Sequence, residues 1–171
     1  MPVILLCLKV EGENLGSLSL AKDATFTLDV REGGGTEVRK AVEVSSAQQH
    51  ELAGSKGTAH FVMKFDKSSR SEACINILDP TTTPALKGVL GPVTGADCEA
   101  GRFVAVAAFD CRGLEPVGYS PGNDFVIKAA NSSCQWQDVD LSLGEWTEYD
   151  DKAQESVGVY SIESQFKLHK C

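Results

Sequence analysis

Apolar and polar residues alternate with a period of two in several stretches of this chain, the spacing of half-buried strands. From residue 157 onward Tyr160, Ile162, Phe166 and Leu168 fall on one side, and Ser161, Glu163, Gln165 and Lys167 on the other. Residues 57–65 repeat the pattern, with Phe61, Met63 and Phe65 set against His60, Val62 and Lys64. These two segments read as counterparts. Residues 3–10 form an apolar run that predicts a buried first strand, and residues 24–30, 38–44 and 73–78 predict three more. The pattern then begins again: 103–109 is apolar like the first strand, 124–129 resembles the second, and 139–141 resembles 42–44. Helical periodicity is poor throughout, so the expected class is all-β.

Turn chemistry separates the predicted strands. Gly33, Gly34 and Gly35 free the backbone between 31 and 37, and 66–71 reads as a second tight turn. Residues 80–101, rich in proline and glycine, read as a linker between a first half at 1–79 and a second at 102–171. Leu15, Leu18, Phe26 and Leu28 are echoed 99 positions later by Leu114, Val117, Phe125 and Ile127, and Phe65 by Phe166 101 positions later. This offset predicts an internal duplication, two related β halves packed as a sandwich in one compact domain, because one small sheet cannot cover its own apolar face.

Composition narrows the function. At 171 residues the chain is long enough to bury roughly 70% of its unfolded surface without staples. The net charge is -8, with the excess acid gathered between Asp138 and Glu155. Such a surface repels nucleic acid and anionic lipid, and suits a basic protein partner or simply a solvated loop. The apolar start lacks a basic leader and is too short to span a membrane, so a cytoplasmic protein with six reduced cysteines is expected. No two cysteines form a CxxC pair. The three histidines are scattered, and no nucleophile elbow, phosphate loop or HExxH is written anywhere. Trp146 and Tyr149, with Asp150 and Asp151 beside them, are the candidate partner-binding residues; the competing reading has the aromatics capping one end of the sandwich.

The segment WTEYDDKAQESVGVY at 146–160, CRGLEPV at 111–117, and the ending Gln165-Phe166 with Lys170-Cys171 resemble the eukaryotic CXXC-motif-containing zinc-binding proteins. The resemblance is strong in the C-terminal half and follows the order of elements in the N-terminal half. It implies an all-β fold of two related halves, an intracellular location, no established enzymatic activity, and one zinc held by two CxxC turns. Those turns correspond to Glu32–Gly35 and Phe65–Ser68 here, so the ligand positions Glu32, Gly35, Phe65 and Ser68 carry no thiol. A structural zinc needs four nitrogen or sulfur donors. The expectation is therefore a cytoplasmic, non-enzymatic, cofactor-free protein-interaction or scaffold factor. Two other readings stand beside it: a metal-binding protein using replacement ligands such as Cys74 and His60, and an enzyme with Cys111 as nucleophile.

Overall fold

A computed structural model describes residues 3–47, 49–51, 58–65 and 72–169. Its strands, in chain order, are β1 (Val3–Glu13), β2 (Leu15–Leu20), β3 (Thr25–Glu32), β4 (Val38–Ser45), β5 (His50–Glu51), β6 (Thr58–Ala59), β7 (Phe61–Met63), β8 (Ala73–Ile77), β9 (Val93–Thr94), β10 (Val104–Arg112), β11 (Leu114–Ser120), β12 (Phe125–Ala129), β13 (Gln135–Val139), β14 (Trp146–Asp150) and β15 (Glu155–His169). Helix α1 (Gly95–Ala100) and a 3-10 turn at Pro84–Leu86 fall between β8 and β10. The protein is all-β, as its alternation predicts. Residues 66–71, read as a turn, lie outside the described residues.

Every strand pair is antiparallel. A six-stranded sheet runs β14-β15-β1-β10-β8-β7, and two smaller sheets run β11-β3-β4 and β13-β12-β2-β9. The order repeats about the central β1·β10 pair. β15 and β14 flank β1 as β8 and β7 flank β10, while β3 with β11 and β4 matches β12 with β2 and β13. The halves therefore interlock instead of stacking side by side, since β2 and β11 each join a sheet built on strands of the other half.

This order corrects one sequence equivalence. The counterpart of β15 is β8, and the counterpart of the interrupted 58–63 strand is β14, so Phe65 and Phe166 occupy different places in the two halves. Leu15 and Leu114 do open equivalent strands. The match of Leu18 with Val117 fails at a bulge: the register skips Val117 between Pro116 and Gly118, leaving it 43% exposed, whereas Leu18 is fully buried.

A bulge also explains why the last strand does not keep one phase. Val10 faces Ile162 and Glu11 faces Ser161, but Gly12 faces Val159, so Tyr160 is the extra residue. Val157 and Val159 are buried before it, Ile162 and Phe166 pack on the core after it, and Tyr160 and Leu168 are exposed. The side-chain parity reverses where the extra residue is inserted.

The main core lies between the six-stranded sheet and the smaller sheets. Leu6, Leu8 and Val10 point into it with Leu18, Leu28, Ile75, Phe125 and Ile127, and Phe26 meets Phe109 edge to face at 5.1 Å. The opposite face of β1 and β10 is covered as well. Val3, Leu5, Cys7 and Ala108 form a second cluster sealed by Leu86 of the 3-10 turn, with Leu78, Val89 and Leu90 around it. Burial on both faces is why 3–8 reads as an unbroken apolar run. Residues 80–101, read as a linker, thus carry this cover, the short β9 and α1. Thr94 and Asp97 cap α1 reciprocally, and Gly101 ends it in the left-handed region.

Candidate functional site

The acidic aromatic segment is a hairpin. Trp146 to Asp150 pair residue for residue with Val159 to Glu155, without a bulge. Trp146 is half-buried and packs edge to face on Trp136 at 5.4 Å, a contact between the outer strands β13 and β14 of two sheets. Tyr149 is 55% exposed, and Leu143, in the turn before β14, is 87% exposed. Glu145, Glu148 and Asp151 in the same segment are exposed as well.

Asp150 departs from its expected role. It is fully buried, and its carboxylate is consumed internally. The Ser132 hydroxyl donates to Oδ2 at 2.6 Å, and the backbone N–H groups of Lys152 and Ala153 donate to Oδ1 at 3.0 and 3.1 Å. The Ser132 hydroxyl bond, followed by contributions from Cys134, Ala153 and Lys152, holds this carboxyl below the usual range. Nearby, Lys152 Nζ donates to Ser133 Oγ at 2.9 Å and Asn131 Nδ2 to Glu155 Oε1 at 2.6 Å. The result is a clasp between the β12–β13 turn and the β14–β15 turn. Among the four sequence candidates, the exposed set reduces to Tyr149 and Asp151, with Trp146 half-shielded. Sequence reading missed Ser132 as a clasp residue, because partners 18 positions apart in two turns leave no periodic trace.

In the first half the topologically equivalent places are the β3–β4 turn and the segment after β7. Glu32 and Gly35 lie in the former and Phe65 in the latter; Ser68 lies outside the described residues. The first turn closes through Gly35 N–H to Glu32 C=O at 3.0 Å, and the Glu32 carboxylate lies over Gly35, where an added Cβ would meet Oε2 at 2.7 Å. Arg39 joins the two places, with its guanidinium 5.9 Å from the Phe65 ring and donating to the Phe65 carbonyl at 3.3 Å. One carboxylate, an aromatic ring and a resident guanidinium do not fit a zinc ion, which needs convergent donors and no competing cation. No group of three or more His, Cys, Asp and Glu side chains suited to a metal is found among the described residues.

The replacement ligands and the nucleophile candidate are equally occupied. The His60 ring accepts the Ile77 N–H at Nδ1, 2.8 Å away, and burial lowers its pKa, so the neutral ring carries its proton on Nε2. The bond replaces a ladder contact at the break between β6 and β7. Removing the acceptor by His60→Phe leaves the Ile77 N–H bare and is expected to cost about 1–3 kcal/mol in urea unfolding; an unchanged midpoint would contradict it. Cys74 is buried, and burial raises its thiol. Cys111 is buried in the main core, its thiol pushed up to about 12 by burial and then by Asp110. That is the reverse of an activated nucleophile.

A two-part cleft opens beside His60. One part, about 250 Å³, is lined by Leu20, Ala24, Phe26, Leu90 and Val106, and the other, about 600 Å³, by His60, Asp23, Asp79 and Thr81 to Thr83. Lys22, Ile77, Leu78 and Pro80 line both. Asp79 accepts the backbone N–H and the hydroxyl of Thr81, each at 2.8 Å, which shapes the loop at 79–83. No helix described is long and apolar enough to cross a membrane.

Residues 5–167 match the family model described as CXXC motif containing zinc binding protein, eukaryotic. The human protein "CXXC motif containing zinc binding protein" is 33% identical over 97% of this chain and 98% of its own length. UPF0587 protein CG4646 of Drosophila melanogaster is 38% identical over 65% of this chain and 62% of its own length. The solved structure "Crystal Structure of C1orf123" superposes with a TM-score of 0.82 at 31% identity, covering 98% of this chain and 99% of that one. A structure from Plasmodium falciparum shares the fold, at 22% identity and a TM-score of 0.83. This chain belongs to the eukaryotic family of CXXC-motif-containing zinc-binding proteins, although its own sequence contains no CxxC pair.

Proposed function

We propose that this chain is a zinc-free, non-enzymatic member of its family that acts in the cytoplasm by binding a protein partner through the β14–β15 hairpin. The observation that carries the reading is the exposed acidic segment 143–151: Leu143, Glu145, Glu148, Tyr149 and Asp151 are all exposed, on a hairpin whose base is fastened by Asp150. Exposed aromatic and aliphatic groups in an acidic segment suit a basic surface with an apolar anchor. The two turns corresponding to the family's CxxC pairs are, on this reading, degenerate: side chains do the joining, Arg39 and Phe65 in one half, Asp150 and Ser132 in the other. A core of this size needs no metal to hold it, unlike a small finger. The cytoplasmic placement is supported by the five cysteines among the described residues, each a free thiol.

A photoreactive residue in place of Tyr149 tests the interaction in cells. The expected result is a discrete set of crosslinks mapping to Lys- or Arg-bearing segments of a partner, lost in Glu148→Lys. The same crosslinks from a photoreactive residue at Thr81, on the far cleft, would contradict it.

A further inference from the structure

Among the described residues the three larger sheets have six outer strands, and five of them are blocked or too short to pair with another chain. β7 has three residues and β9 two. β11 carries Pro116 and a register shift; β4 carries Lys40 and Ala41, the latter at φ 55°, beside another shift. β13 is bulged, with Asp138 at φ 53°. Proline, lysine, bulges and brevity are the devices by which natural sheets prevent edge pairing.

β14 has none of these. It is five residues long, in unbroken register with β15, and holds no proline, glycine or lysine. Apart from its ladder to β15, none of the hydrogen bonds among the described residues uses a main-chain group of 146–150. Thr147, Glu148 and Tyr149 are all exposed. Asp150 anchors one end of the strand and the Trp136–Trp146 contact the other, so the backbone is presented in an extended form before any partner arrives.

We propose that β14 is a docking edge that accepts an extended basic segment of another protein as an added β-strand, a mode that rests on the interaction reading above and specifies it. Main-chain pairing supplies affinity without regard to sequence, and charge supplies the choice. Glu145, Glu148 and Asp151 select a strand bearing Lys or Arg; Lys152, the basic residue of this stretch, is already held by Ser133. The same acids disfavour a second copy of this chain. Two β14 edges meeting antiparallel about their central residue would set Glu148 opposite Glu148, a repulsive cross-strand pair.

The test uses the isotope-labelled full chain with three end-blocked synthetic octapeptides: alternating Lys-Val, alternating Glu-Val, and Lys-Val N-methylated at every backbone amide. Lys-Val is expected to slow hydrogen exchange of amides in 146–150 at least tenfold, while Glu-Val and the N-methylated peptide leave them unchanged. Equal binding of the N-methylated peptide at these residues would overturn strand addition and leave the interaction reading standing on side chains. No response of these amides to Lys-Val would overturn the docking edge itself, with the Tyr149 crosslinks judging the broader reading separately. Protection that grows with protein concentration alone would overturn the basic partner in favour of a second copy.

Discussion

Asp150→Asn is expected to lower the melting temperature by on the order of 10 °C, while Asp151→Asn, one residue on and exposed, leaves it nearly unchanged. The substitution keeps the shape and removes the charge that three donors converge on. It also turns one oxygen into an amide that faces a donor. The effect has a pH signature. The folded carboxyl titrates below its unfolded value of about 3.9, so as pH falls the unfolded chain takes up the proton first. The clasp therefore contributes fully above about pH 4 and is lost as pH falls through the depressed folded value. The gap between the native chain and Asp150→Asn is expected to close under acid; a gap independent of pH would show that shape, not charge, is what the clasp needs.

Gly12→Ala is expected to be the most damaging single methyl in the protein, at about 3 kcal/mol or more, read by urea unfolding or by loss of soluble protein. Gly12 lies where β1 passes the bulge in β15, and a Cβ there would overlap the Gly158 carbonyl oxygen and the Leu15 side chain. The first of these is backbone between paired strands and cannot swing aside. Gly122→Ala, with open space around it, is the control. A mild effect at Gly12 would mean that the two strands do not approach this closely at the bulge.

Much of the fold is legible in the sequence, and the failures share a cause. Strands β1, β3, β4, β8 and β12 were marked by apolar runs or strict alternation, and the 99-residue offset located the opening of equivalent strands such as Leu15 and Leu114. What sequence pattern could not register was inserted residues. Val117, paired with buried Leu18 by the 99-residue offset, and Tyr160, set beside Ile162 by period-two counting, each occupy a bulge and stand exposed. β14 resembled a loop because one of its five residues is buried and its partner strand supplies the pattern. The Thr94–Asp97 capping box was present to be read, but Gly95 and a length of six residues gave α1 no periodicity to attach it to.

The candidate site was only partly legible. Tyr149 and Asp151 are where an acidic aromatic segment suggests, on the surface. Asp150 is not, because a carboxylate that fastens turns has the same local sequence as one that faces solvent, and only Ser132 distinguishes them. Interlocking halves compound the difficulty: side chains in one turn are satisfied from another, with no signal in the intervening chain.

The central claim is that a member of a zinc-binding family holds its two turns together without the metal. Native mass spectrometry on protein purified without chelators, compared with the denatured mass, tests it most directly. The account predicts equal masses, and no rise in melting temperature when zinc is added. One zinc per chain, retained in the native mass and released on unfolding, would contradict it and would mean that donors outside Glu32, Gly35 and Phe65 converge on the ion.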